Sequence, residues 1–115
     1  MVHLARPVSH HVPAVRRETC GSQSGELLIL RESGRPAVIR WRPSGGDPVD
    51  LLPPYRLDRV ELRHSHRARL HGLTAGVRLV TADGSALFLV PPSGLPALAL
   101  AAASTHRRPP AAAHP

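Results

Sequence analysis

Apolar and polar residues alternate most cleanly over residues 76–91, GVRLVTADGSALFLVP. Residues 77–81 and 86–90 each follow a period of two, the mark of a strand with one buried face. Asp83-Gly84 lies between them, and Asp-Gly tolerates the positive φ values of a two-residue type I′ turn. The spacing predicts a hairpin with Val77 opposite Val90 and Leu79 opposite Phe88 on one apolar face. Val80, Leu87 and Leu89 fall on the other face, with Val80 opposite Leu87. They make an apolar patch of the kind that marks a protein interface, unless a further strand, the opposing sheet or the N-terminal segment covers it. Pro91-Pro92-Ser93-Gly94 breaks the pattern. LPALALAAAS then takes a helical period, with Leu95, Leu98, Ala99 and Ala102 on one face, Ser93 as N-cap and Pro96 in the first turn.

Upstream the runs are shorter. Residues 26–31, ELLILR, and 37–42, AVIRWR, flank a Gly- and Pro-containing turn and predict a second hairpin. Ala37, Ile39 and Trp41 share one face of the latter run; Val38, Arg40 and Arg42 share the other. Residues 43–48 form a loop with two glycines and two prolines, and residues 49–52 a short strand. Residues 55–64 turn Val60 and Leu62 one way and Arg59, Glu61 and Arg63 the other. Residues 67–73, RARLHGL, are read as the next strand, with Ala68 and Leu70 inward. Residues 1–24 lack a clear period and are expected to be a flexible arm. Residues 106–115, HRRPPAAAHP, are expected to be a disordered tail, because the double proline ends regular structure. One domain spans residues 25–105. Six to seven short strands and one C-terminal helix make it mainly β, a small antiparallel barrel or roll.

Composition narrows the chemistry. The chain has 115 residues and a net charge of +7, and all its fifteen basic side chains are Arg. More than half of that excess lies in the two end segments. Only Trp41, Tyr55 and Phe88 are aromatic, so a strand face that stacks bases is poorly supplied. Cys20 is the single cysteine, which excludes an intrachain disulfide and suits a reducing compartment. No N-terminal apolar segment of signal-peptide type appears, and the longest apolar run is too short to span a bilayer. His64, His66 and His71 with Glu61 have residue types that ligate a metal, but polar residues at a turn explain them better than a converging set. No nucleophile stands in an elbow motif, and Gly45-Gly46 lacks the lysine of a phosphate loop. No cofactor, metal or enzymatic activity is assigned.

The paired runs ELLILR and AVIRWR, the strand RLDRVELR, the hairpin VRLVTADGSALFLV and the helix LPALALAAAS together resemble the pleckstrin-homology-like superfold. Within it they resemble the small bacterial pleckstrin-homology-like and GRAM-like domains, over residues 25–105. The resemblance implies a non-catalytic, cytoplasmic adaptor that binds a protein or peptide partner, or an anionic membrane surface at which it is peripheral. It also points to a basic triplet at the first hairpin: Arg31 on one strand, then Arg40 and Arg42 two apart on the next. Guanidinium forks suit phosphate oxygens there, although a solvated strand face accounts for the same pattern. Self-association through Val80, Leu87 and Leu89 is a further expectation. The alternative is a weak, basic nucleic-acid-binding protein held by salt-sensitive contacts.

Overall fold

A computed structural model describes residues 7–63 and 65–106. Among them seven strands form: β1 (Val8–Glu18), β2 (Gly21–Leu30), β3 (Val38–Pro43), β4 (Val49–Leu51), β5 (Arg56–Val60), β6 (Ala75–Thr81) and β7 (Gly84–Val90). A short helix, α1 (His66–Leu70), connects β5 to β6, and α2 (Leu95–Ser104) follows β7 after one 3-10 turn, Pro92–Gly94. The strands make a single antiparallel sheet in the order β4-β3-β2-β1-β7-β6-β5. The mainly β architecture with a C-terminal helix is the one the hydrophobic pattern predicts.

The sheet consists of two meanders, β1–β4 and β5–β7, joined where β1 meets β7. That junction is short: Val15, Arg16 and Arg17 lie opposite Leu89, Phe88 and Leu87. The two edge strands, β4 and β5, are consecutive in the chain. A flat sheet of this width would separate them by roughly 29 Å, whereas the link between them reaches about 17 Å at full extension. The sheet therefore curls toward a barrel. Tyr55 holds the curl. Its side chain is 0% exposed. Its hydroxyl accepts the Ile39 N–H of β3 at 2.9 Å and donates to the Leu51 carbonyl of β4. Its backbone N–H donates to Thr105 Oγ1 at 2.9 Å, just beyond α2. The Ala82 N–H, at the tip of β6–β7, donates to the Leu52 carbonyl at 2.9 Å and draws the two meanders together again.

The inner faces supply the core. Val12 and Ala14 of β1, Leu27 and Ile29 of β2, Ile39 and Trp41 of β3, Val77 and Leu79 of β6, and Phe88 and Val90 of β7 are buried together. The rings of Trp41 and Phe88 meet at 5.3 Å and 57°, a tilted contact that adds to their burial. Gly25 of β2 leaves the room Trp41 occupies: a Cβ there would sit 2.8 Å from the indole and 2.3 Å from the Arg42 carbonyl oxygen. Leu98, Ala101 and Ala102 of α2 close the open end. The helix is anchored by Ser104, whose Oγ accepts the Ala37 N–H at 3.1 Å.

Four expectations are corrected. The N-terminal segment is no arm from Val8 onward: β1 pairs with β2 along its whole length and with β7 over three residues. Its inward residues, Val12 and Ala14, are few, and Pro13 obscures the pattern; Pro13 lies beyond the last β1–β7 pair, where a missing N–H removes no bond. Residues 67–73 are not a strand but contain most of α1. The β6–β7 turn is Ala82-Asp83, with Thr81 opposite Gly84, so Val77 faces Phe88 and Leu79 faces Ala86. Among described residues only glycines have positive φ, so the turn is not type I′; Gly84 alone takes φ +156°. The slip is two residues along the partner strand, so each side chain keeps its face. In α2, Ala101 is buried and Ala99 exposed, and Ser93 lies in the 3-10 turn rather than capping the helix. The Arg-rich end expected to be a tail, from residue 107 on, lies outside the described residues, as does His64.

Candidate functional site

The outer face of β3 carries two members of the predicted basic triplet, Arg40 and Arg42. Arg40 is held by Asp50 of β4 in a two-pronged pair, Nε to Oδ1 at 2.5 Å and Nη2 to Oδ2 at 3.3 Å. The hydrogen bond to Asp50 raises the pKa of Arg40 further, so it stays charged. Arg42 pairs with Glu26, its direct neighbour on β2. Leu28, not Arg31, lies opposite Arg40, and Leu28 is 3% exposed. Arg31 follows the last β2–β3 pair, and its backbone N–H donates to the Pro7 carbonyl at 3.1 Å. The three arginines therefore do not converge, and two of them are neutralised in place.

The predicted apolar patch is also rearranged. Val80 stands opposite Ser85, and Leu87 opposite Arg78 on one side and Arg17 on the other. Leu89 is 1% exposed, because the segment leading through α1 lies over it. Ala68 and Leu73 pack on Leu89, with Val15 and Leu62 around them. Thus the chain itself covers Leu89 on the outer face of β7, while Leu87 stays half-buried.

This covering segment is a small flap with defined ends. Ser65 caps α1, its Oγ accepting the Ala68 N–H at 3.1 Å. At the other end the Leu73 N–H donates to the Ala68 carbonyl at 2.8 Å and the Gly72 N–H to the Arg69 carbonyl at 3.0 Å. With Gly72 at φ +74° and Leu73 packed on Ala68, this is a Schellman ending. The Arg17 guanidinium donates to the Arg63 carbonyl at 2.5 Å and ties the flap to β1. Gly76 permits the close return: a Cβ there would sit 2.6 Å from the Val60 carbonyl oxygen and 3.0 Å from the Leu62 side chain.

Between the flap and the outer face of β1 and β2 runs a groove of about 730 Å³. Its floor is apolar: Pro13 is exposed and Val15 half-buried there, while Leu73 and Leu89 are buried. Its walls carry Ser22 and Ser24 of β2, Ser44 after β3, and Ser65, Arg67 and His71 of the flap, with Arg17 at one end. Among the described residues no Asp or Glu lines it. Ser24 and Ser44 are held side by side, because the Ser44 N–H donates to the Ser24 carbonyl at 2.9 Å. A second, more open cleft of about 790 Å³ separates the tips of β1–β2 and β6–β7 and is lined by Arg16, Arg17, Arg78, Cys20 and Leu87 among others. Arg16 there lies over the Phe88 ring at 6.0 Å and pairs with Glu18 at 3.8 Å.

Ion pairing divides the surface. Arg35, Arg40, Arg42 and Arg56 each have a carboxylate partner, Glu32, Asp50, Glu26 and Asp58. Seven arginines have none among the described residues: Arg17, Arg63, Arg67, Arg69 and Arg78 around the flap and the two clefts, and Arg31 and Arg59 elsewhere. His66 and His71 sit at the two ends of α1, both exposed. None of the described helices is long and apolar enough to cross a membrane. Compared with family models, with curated proteins and with solved structures, the chain matches none.

Proposed function

We propose that this chain is a non-catalytic interaction module that binds a protein or peptide partner in the groove between the flap and the β1–β2 hairpin. The observation that carries the reading is the contrast between a filled interior and this open, polar-walled groove. Trp41, Tyr55 and Phe88 pack the barrel solid, so recognition falls to the outside. The groove combines an apolar floor with hydroxyl and guanidinium donors, the mixture by which recognition sites fix both affinity and orientation. Two antiparallel meanders of four and three strands with a closing C-terminal helix support the pleckstrin-homology-like resemblance, and a cytoplasmic adaptor role belongs to the same proposal.

A photo-crosslinking side chain placed at Ser24 tests it. In cells it should give a discrete protein adduct that filling the groove with Ala68→Trp abolishes. The same side chain at Arg35, in the β2–β3 turn and paired with Glu32, should give none. Equal adducts from both positions would remove the groove from the proposal.

A second reading has its own observation. The five unpaired arginines around the flap make a basic surface broader than the groove, which suits a nucleic-acid backbone. Trp41, Tyr55 and Phe88 are all buried, so such binding would read phosphates without base stacking.

A further inference from the structure

Within the module just proposed, and resting on it, we propose that the groove recognises a phosphate group carried on an extended peptide segment of the partner. Ser22, Ser24 and Ser44 line one wall, and their hydroxyls have no hydrogen-bond partner among the described residues. Ser65 accepts from Ala68, which leaves its own O–H to donate. Arg67 faces the same space from the flap with no carboxylate to neutralise it. Donors thus approach from β2, from the end of β3 and from the flap.

That arrangement selects among anions. A carboxylate is planar and offers two oxygens, which a single arginine fork satisfies. A phosphate monoester offers three terminal oxygens in three directions and carries close to two charges. Hydroxyls on one wall and a guanidinium on the opposite wall match the second shape. The absence of any lining carboxylate removes the repulsion that would otherwise oppose a dianion. An apolar strip of Pro13, exposed, and Val15, half-buried, lies beside these donors. It has a use when the phosphate arrives with apolar neighbours, as it does on a peptide. Bases would need an exposed aromatic platform, and the three aromatics are in the core. A lipid head group would favour a protruding tip rather than a groove walled on one side by the flap.

The test uses the full, isotopically labelled chain and amide chemical-shift mapping. The probe is a short Ala–Leu peptide with one phosphoserine, beside its unphosphorylated and Glu-substituted forms. Phosphatidylglycerol-containing vesicles and a single-stranded oligodeoxynucleotide form the other arms. The phosphopeptide should shift the amides of Ser22, Ser24, Ser44 and Arg67, and the other two peptides should not. Arg67→Ala should weaken it about tenfold, the factor for losing one charge-assisted hydrogen bond. Ser24→Ala with Ser44→Ala should do likewise, while Arg40→Gln changes nothing. Melting curves confirm that each variant folds, and the mapping on the unaltered chain needs no variant. Equal binding of the Glu peptide, or shifts confined to the cleft around Arg78, overturns the phosphate assignment. Binding of vesicles or oligonucleotide without the phosphopeptide overturns the peptide. A Ser24 crosslink obtained without phosphopeptide binding leaves the module standing and sinks the phosphate alone.

Discussion

The outer faces of β3 and of the flap carry the same residue type in opposite states. On β3, Arg40 and Arg42 lie two apart on an exposed strand, and each is matched by an acid on a neighbouring strand. On the flap, Arg67 and Arg69 are also two apart, and neither has such a partner. Spacing along the chain is identical. What differs is the element: strand pairing sets Glu26 beside Arg42 and Asp50 beside Arg40, whereas Arg67 and Arg69 lie on a helix. The lesson is that a basic pattern identifies an anion site only after the cross-strand neighbours have been counted. An arginine already bound to a carboxylate must give up that bond before it can take a ligand.

Four experiments break or sharpen this contrast. The largest effect comes from β1, which supports the sheet under both faces. Deleting residues 1–22 should abolish cooperative thermal unfolding, because it removes a strand from the middle of the sheet; a sharp melt in the truncated chain would contradict the register described above. Next is the anchor of the flap. Leu89→Ala should cost about 2–5 kcal/mol by denaturant unfolding, while Leu87→Ala, half-buried on the same strand, should cost about 1 kcal/mol or less.

The third acts on the flap alone. Gly72→Val forces a β-branched residue into positive φ and should cost about 1–3 kcal/mol. Faster amide exchange should be confined to residues 61–74, with the β2–β3 face unaffected. The smallest stability effect and the sharpest contrast come from charge reversal. Arg40→Glu with Arg42→Glu breaks two exposed pairs and should cost about 1 kcal/mol or less each, with elution from a phosphate-bearing cation-exchange resin falling only in line with net charge. Arg67→Glu with Arg69→Glu changes the net charge equally. It should leave the melting temperature unchanged yet elute at distinctly lower salt. Identical elution of the two double variants would mean that the faces do not differ.

Two hairpins explain how much of this was legible. In the turn of β6–β7, Ala82-Asp83-Gly84, the Asp-Gly pair stood between two alternating runs, and the hairpin was found with its faces right and its turn one residue off. Thr19-Cys20-Gly21 makes the same construction between β1 and β2, with Glu18 opposite Gly21 and Gly21 at φ +143°. It went unread because β1 buries little and Cys-Gly is a weak turn signal. The flap is hidden in the pattern for a related reason. RARLHGL alternates well enough for a strand, but Ser65 before it and His71-Gly72-Leu73 after it are a helix cap and a Schellman ending. Those two signals would have identified α1. The groove itself had no linear trace, since Ser22, Ser24, Ser44 and Ser65 come from three separate segments.

The position of β1 also governs the order in which the molecule can be completed. During translation β1 leaves the ribosome before the other described strands, and β7, its second partner, after them. The first meander must therefore wait with an open backbone edge along β1, in reach of other nascent chains. Arg16 and Arg17 stand on that waiting edge, where they later meet Phe88 and Leu87. Adjacent like charges discourage two such edges from pairing with one another. The same two arginines thus guard the unfinished chain and, once β7 arrives, line the clefts of the finished one.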